Sequence, residues 1–181
     1  VNATANAVAD LNNDGYLDII FSQGNPAGPS TIYYGSQNGY LNADRIELDS
    51  YLTTCATIAD LNQDGYQDIV LCNFHDGAYF TTDSYIYWGS STGYATAGRI
   101  GLPTIGAMSV FAADFNKDGY LDLAFSNYRN NDDPLLAATF EPNSFIYWGS
   151  ADGYTIGNRQ ELYTLGGHRF SVADLNHDGY L

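Results

Sequence analysis

Aspartates crowded into a short loop repel one another unless a cation offsets their charge, and this chain crowds them four times. The segments are "DLNNDGYLD" from Asp10, "DLNQDGYQD" from Asp60, "DFNKDGYLD" from Asp114, and "DLNHDGYL" from Asp174 to Leu181. With Asp10 as position 1, side-chain oxygens fall at positions 1, 3, 5 and 9 (Asp10, Asn12, Asp14, Asp18), and the Tyr16 carbonyl falls at position 7. Gly15 at position 6 permits a sharp turn. Oxygen donors in this rhythm suit Ca²⁺, which takes roughly 6–8 of them at about 2.3–2.6 Å. Mg²⁺ would demand a tighter octahedron and keep more water. A soft metal would want Cys or His, absent at these positions. A helix-flanked calcium loop would need Glu at position 12. That position is Phe21, Leu71 or Phe125, each within a strand-like run. The reading without metal is an Asn/Asp/Gly-rich turn; three full copies with the same Asp/Asn/Asp/Gly/Asp placement favour the ion. Position 4 varies (Asn13, Gln63, Lys117, His177) and is expected to face solvent, which leaves His177 outside the ligand set.

The loops recur with a period. Their first aspartates are 50, 54 and 60 residues apart. Between them lie "IYYGSQNGY" (32–40), "IYWGSSTGY" (86–94) and "IYWGSADGY" (146–154). From Gly35, Gly89 and Gly149 to the next aspartate the distance is always 25, so all length variation lies in one arm of the unit. Each unit reads as four short strands. "DIIFS", "DIVLC" and "DLAFS" come first, then "TIYYG", "YIYWG" and "FIYWG". "RIEL", "RIGL" and "RQEL" are third, and "ATIAD", "VFAAD" and "FSVAD" fourth. No stretch shows a helical period. Four strands in about 50 residues, repeated, is the pattern of a β-propeller blade. The expected fold is all-β: one region over 1–181 with units at 10–59, 60–113 and 114–173 and the start of a fourth at 174–181. Counting the opening strand gives about thirteen strands.

Of 181 residues, 21 are acidic and 6 basic, a net charge of −15; eleven of the acidic residues sit in the four loops, three in each of the first three and two in the last. Such a surface disfavours nucleic acid, whose phosphates need Lys and Arg. No apolar run reaches membrane-span length. No signal peptide is visible, as expected of a mature chain or a section of a longer one.

The "VAD-LNxDGYxD" and "IYWGS…GY" runs together resemble the FG-GAP/VCBS repeat family, the calcium-binding blades of integrin α-subunit propellers and of many bacterial secreted proteins. The resemblance covers essentially the whole chain. It implies a β-propeller of four-stranded antiparallel blades with calcium in the hairpin loops, exposed outside the cell, and no single activity. Carried over by position, the ligands are Asp10, Asn12, Asp14, Tyr16 and Asp18; Asp60, Asn62, Asp64, Tyr66 and Asp68; Asp114, Asn116, Asp118, Tyr120 and Asp122. The fourth loop supplies Asp174, Asn176, Asp178 and Tyr180 but ends before position 9. About three blades are fewer than the 4–8 of a closed propeller. The chain is therefore expected either to continue in a longer polypeptide or to self-assemble.

Cys55 and Cys72 flank the second acidic loop, at slots that are neighbours in an antiparallel hairpin. They are a disulfide candidate, suited to an oxidising compartment, with two buried thiols the alternative. Tyr34, Trp88 and Trp148 share one slot, and Tyr40, Tyr94 and Tyr154 another. Aromatics repeated in every unit suit packing between blades better than sugar stacking. The variable arms, 22–31, 72–85 and 126–145, should lie opposite the acidic loops, where binding usually evolves. The longest carries Tyr128, Arg129, Asp132, Asp133 and Phe140, the candidates for contact with a protein or glycan partner. Asn2, in "NAT", is a glycosylation candidate. The reading that follows is a calcium-stabilised extracellular propeller without catalysis, a scaffold for adhesion or assembly. The alternatives are a carbohydrate-binding module and the propeller of a secreted polysaccharide-degrading enzyme, which would need a paired acid and base.

Overall fold

The computed structural model describes residues 3–25, 28–130 and 141–181. Asn2, Asp132, Asp133 and Phe140 lie outside the described residues. Within these, twelve strands form three four-stranded antiparallel sheets. The first holds β1 (Ala3–Ala9), β2 (Asp18–Gln23), β3 (Ser30–Tyr33) and β4 (Arg45–Leu48). The second holds β5 (Thr53–Ala59), β6 (Asp68–Asn73), β7 (Thr81–Tyr87) and β8 (Ile100–Ile105). The third holds β9 (Ala107–Ala113), β10 (Asp122–Asn127), β11 (Ser144–Tyr147) and β12 (Arg159–Leu162). Strands adjacent in sequence are adjacent in each sheet.

Each sheet begins one strand before its acidic loop, so the loop closes a hairpin inside a single sheet; Ala9 faces Asp18, Ala59 faces Asp68, and Ala113 faces Asp122. Units counted from aspartate to aspartate are thus offset by one strand from the sheets. The expected thirteenth strand, "FSVAD", forms no ladder. A strand of this kind is held by its partner across the acidic loop, as β1 is by β2, and the described residues include no such partner for it.

Burial follows from stacking. β2 has one face covered, and its burial alternates along Ile20 and Ser22, with Phe21 outward. Every residue of β6 is buried, because the second sheet lies between the other two. This is why "DIVLC" reads as a continuous apolar run. One core joins Leu11, Ile20, Ile32 and Leu48 of the first sheet to Ile69, Leu71, Tyr85 and Tyr87 of the second. The next repeats it, with Leu61, Val70, Ile86 and Leu102 against Leu123, Phe125, Phe145 and Tyr147. Each such Ile or Leu contributes about 1.5–3 kcal/mol by its burial. The first strands lie side by side, β1 against β5 and β5 against β9. Thr4 Oγ1 donates to the Thr53 carbonyl, and Thr54 Oγ1 to that of Ala107 at 2.7 Å. Four of the six slot aromatics serve this stacking, while Tyr40 is exposed and neither it nor Trp148 belongs to a core. Tyr34 and Tyr94 pack on the first core, Trp88 packs on the second, and Tyr154 is part of the second.

Candidate metal centre

The first three acidic loops sit at the same end of their sheets, and the backbones of all four are folded alike. In the first, Asp10 accepts hydrogen bonds from the N–H groups of Asp14 (3.1 Å) and Gly15 (2.8 Å). Asn12 Oδ1 accepts from Asp14 N–H (3.1 Å), and Asp14 Oδ1 from Tyr16 N–H (2.8 Å). The same four bonds recur from Asp60, Asp114 and Asp174. Backbone N–H groups thus offset part of the crowded charge. Two residues of each loop take left-handed φ. One is the position-6 glycine, from +88° to +91°. The other is position 4, where Asn13, Gln63, Lys117 and His177 lie between +58° and +62°. A conformation that only Gly adopts without steric cost is held here by residues with side chains.

Position 9 is anchored differently. Asp18, Asp68 and Asp122 are fully buried. Each accepts one bond from the N–H of position 2 (Leu11, Leu61 and Phe115, all 2.8 Å). Each accepts another from the glycine of the "YGS" or "WGS" turn: Gly35 at 2.7 Å, Gly89 and Gly149 at 2.8 Å. Burial raises all three carboxyls, against the pull of these N–H groups, and that of Asp68 reaches about 6. These glycines are required by close approach. A Cβ on Gly35, Gly89 or Gly149 would lie 2.2–2.3 Å from the carbonyl oxygen of position 8. That carbonyl accepts a bond from the hydroxyl of the "GY" tyrosine: Tyr40 at 2.9 Å, Tyr94 at 2.7 Å and Tyr154 at 2.6 Å. Sequence reasoning placed these tyrosines in packing alone. The signal for their second role was the constant five-residue step from that glycine to that tyrosine in every unit.

The donor set is oxygen only: the carboxylates at 1, 5 and 9, the amide oxygen at 3 and the carbonyl at 7. Its chemistry fits a hard cation. Among the described residues no three Asp, Glu, His or Cys side chains form a ready cluster. In each loop the position-3 amide turns its N–H toward the position-5 carboxylate, Asn12 Nδ2 to Asp14 Oδ2 at 3.0 Å in the first. Admitting a cation therefore requires that amide to rotate and present its oxygen. Position 9 can serve as ligand and anchor together, since each carboxylate oxygen has two acceptor directions.

Position 4 is exposed in all four loops, as its variability led us to expect, and in two of them its amide also reaches the next loop. Asn13 Nδ2 donates to the Gly65 carbonyl at 3.4 Å, and Gln63 Nε2 to the Gly119 carbonyl at 2.6 Å.

Cys55 and Cys72 are cross-strand partners and carry free thiols. The hydrogen bond from Cys72 holds the Cys55 thiol down at about 6 despite burial. At the opposite end, Tyr128 packs edge-on against His168 (5.2 Å), and the Arg129 guanidinium lies 5.1 Å from the centre of the Phe80 ring. These two candidates are half-buried and engaged within the chain; Tyr79 and Tyr163 are exposed aromatics at that end. Buried Asn73 and Asn127, missed in the sequence, tie that end together. Asn73 binds Tyr51 N–H and the Asp83 carbonyl, and Asn127 binds Ile105 N–H and the Asn143 carbonyl.

A model of the FG-GAP-like repeat family matches residues 10–71 and again 60–125. Each match runs from one acidic loop through the strand after the next. No curated protein matches the chain.

Proposed function

The chain belongs to the FG-GAP-like repeat family, and from that premise we propose that it is a non-enzymatic, calcium-stabilised β-propeller scaffold that works outside the cell in adhesion or assembly. The observation that carries this reading is the repetition of one loop architecture at the same end of three stacked sheets. Each loop has oxygen donors at its rim and a buried aspartate beneath it. Side-by-side first strands are how propeller blades meet around an axis.

The outer faces supply the assembly part of the proposal. Phe21 (36% exposed) and Tyr33, on the open face of the first sheet, occupy the slots of buried Leu71 and Tyr87. Leu162 (39% exposed), on the open face of the third, occupies the slot of buried Leu48 and Leu102. These are the two halves of the contact that already joins the sheets twice. They favour further sheets of the same kind, from a longer chain or from another copy. The variable end, with Tyr79 exposed, is the face for a protein or glycan partner.

When bound, calcium would neutralise the loop carboxylates and tie positions 1 to 9 together. Sites of the affinity common in extracellular modules (Kd about 10⁻⁴–10⁻³ M) would each add about 0.4–1.4 kcal/mol at ~1 mM calcium. Three such sites add about 1–4 kcal/mol, a large part of a marginal stability. The test is urea unfolding in 1 mM calcium and in excess EGTA, with sedimentation run alongside. A loss of that size on chelation is expected. Identical unfolding in both conditions would remove calcium from the proposal, and a strict monomer at every concentration would remove self-assembly.

A further inference from the structure

We propose that the side chain at position 4 of each acidic loop is a positioning residue for the following loop, so that the loops are linked in series. The contacts repeat with one polarity. Asn13 reaches the Gly65 carbonyl (3.4 Å), and Gln63 reaches that of Gly119 (2.6 Å). Lys117 Nζ stands 3.9 Å from the centre of the Tyr180 ring and 2.8 Å from where a Cβ on Gly179 would lie. The receiving residue is always at position 6 or 7, the turn between the position-5 carboxylate and the position-7 carbonyl.

Position 4 has φ between +58° and +62° in every loop, and the Asn13 and Gln63 amides and the Lys117 ammonium all reach the loop that follows. The same φ at His177 shows that the fold of the loop itself sets this conformation, and in the first three loops the side chain it carries reaches the next one. The consequence falls on the receiver. Binding the Gly119 carbonyl orients the peptide between Gly119 and Tyr120, whose N–H is donated to Asp118 Oδ1 at 2.9 Å. Loss of the Gln63 amide should therefore loosen the loop at 114–122 and spare the loop that contains residue 63.

The test uses the full chain carrying Gln63→Ala. In EGTA, amide hydrogen exchange is expected to speed up at Gly119 and Tyr120 by roughly two- to tenfold, the worth of one such hydrogen bond, with Gly65 and Tyr66 unchanged. Gln63→Asn should restore part of the protection, since Asn13 spans the equivalent gap with the shorter amide. A second arm rests on the calcium reading: in a calcium titration followed at the amide shifts of Gly65 and Gly119, affinity at the third loop falls by a similar factor while the second holds. Loosening confined to 60–68, equal loosening of both loops, or no change in either would overturn the link. If calcium fails to bind the parent chain, the calcium reading falls and the exchange arm still decides this one.

Discussion

Replacing Gly89 with alanine tests the clamp that holds an acidic loop to its sheet. The added Cβ would lie 2.3 Å from the Gln67 carbonyl oxygen and 3.1 Å from Tyr66 Cβ, and the nearest obstacle is backbone, which cannot swing aside. Overpacking of this kind costs about 1–3 kcal/mol. The turn must retreat, and with it goes the bond from Gly89 N–H to the buried Asp68 carboxylate. A bond to a charged group is worth about 1.5–3 kcal/mol. Together Gly89→Ala should cost about 2.5–6 kcal/mol, out of a total of about 5–15 kcal/mol for an ordinary domain. Gly98→Ala is the control, since a Cβ there meets nothing within 4 Å and the residue has no left-handed φ. It should be neutral or stabilising by up to about 1 kcal/mol through the unfolded state. Urea unfolding followed by far-UV circular dichroism reads both. If Gly89→Ala unfolds within about 0.5 kcal/mol of the parent, the close approach is not what fixes glycine in this slot.

Thr54→Val removes the hydroxyl that binds the Ala107 carbonyl between the second and third sheets; a loss of about 0.5–1.5 kcal/mol in urea is expected, and an unchanged midpoint would mean apolar packing alone joins them. The Asp68 carboxyl, raised by burial to about 6 from an unfolded value of about 3.9, binds its proton more tightly in the folded state. Its contribution is complete below about pH 4 and is lost as pH rises through about 6, so the urea midpoint in EGTA should fall across that window, and Asp68→Asn should flatten the fall; a midpoint rising there in both proteins would refute the sign. Mild oxidation should close Cys55 to Cys72 within one chain, seen as a loss of two hydrogens by mass and as a stabilisation of up to about 3 kcal/mol for a loop of this length. Thiols that stay titratable after oxidation would count against a disulfide in an oxidising compartment.

Much of the fold could be read in the sequence because its signals are local and repeated. The 25-residue spacing from Gly35, Gly89 and Gly149 to the next aspartate marks an arm of fixed geometry, and the hairpin placement of the acidic loops followed from the strand-like runs on either side. Which strands share a sheet was less legible. A run such as "ATIAD" looks the same whether it ends one sheet or begins the next, and only the pairing of Ala59 with Asp68 assigns it. The site was legible as a list of oxygens. It was not legible as a geometry: nothing in the letters shows that position 9 turns both oxygens to backbone N–H groups, or that the position-3 amide faces its neighbour with nitrogen. Gln63 and Lys117 are not residue types that announce a left-handed φ, so that conformation was hidden too.

The two arms of each unit differ in freedom for a physical reason. The constant arm carries the glycine whose N–H holds the position-9 aspartate and the tyrosine whose hydroxyl holds the position-8 carbonyl, at distances of 2.6–2.9 Å in every sheet. Inserting one residue between that glycine and that tyrosine would carry the hydroxyl out of reach of the position-8 carbonyl while the glycine stays on the buried carboxylate, and a polar group left unpaired there costs about 1–3 kcal/mol. The variable arm meets a gentler requirement. Asn73 and Asn127 hold it at its base, each binding a backbone carbonyl on the returning side, that of Asp83 and that of Asn143. Lengthening such a loop costs only the slow logarithm of its length. Selection for a new partner can therefore act on that end without disturbing the loops at the other.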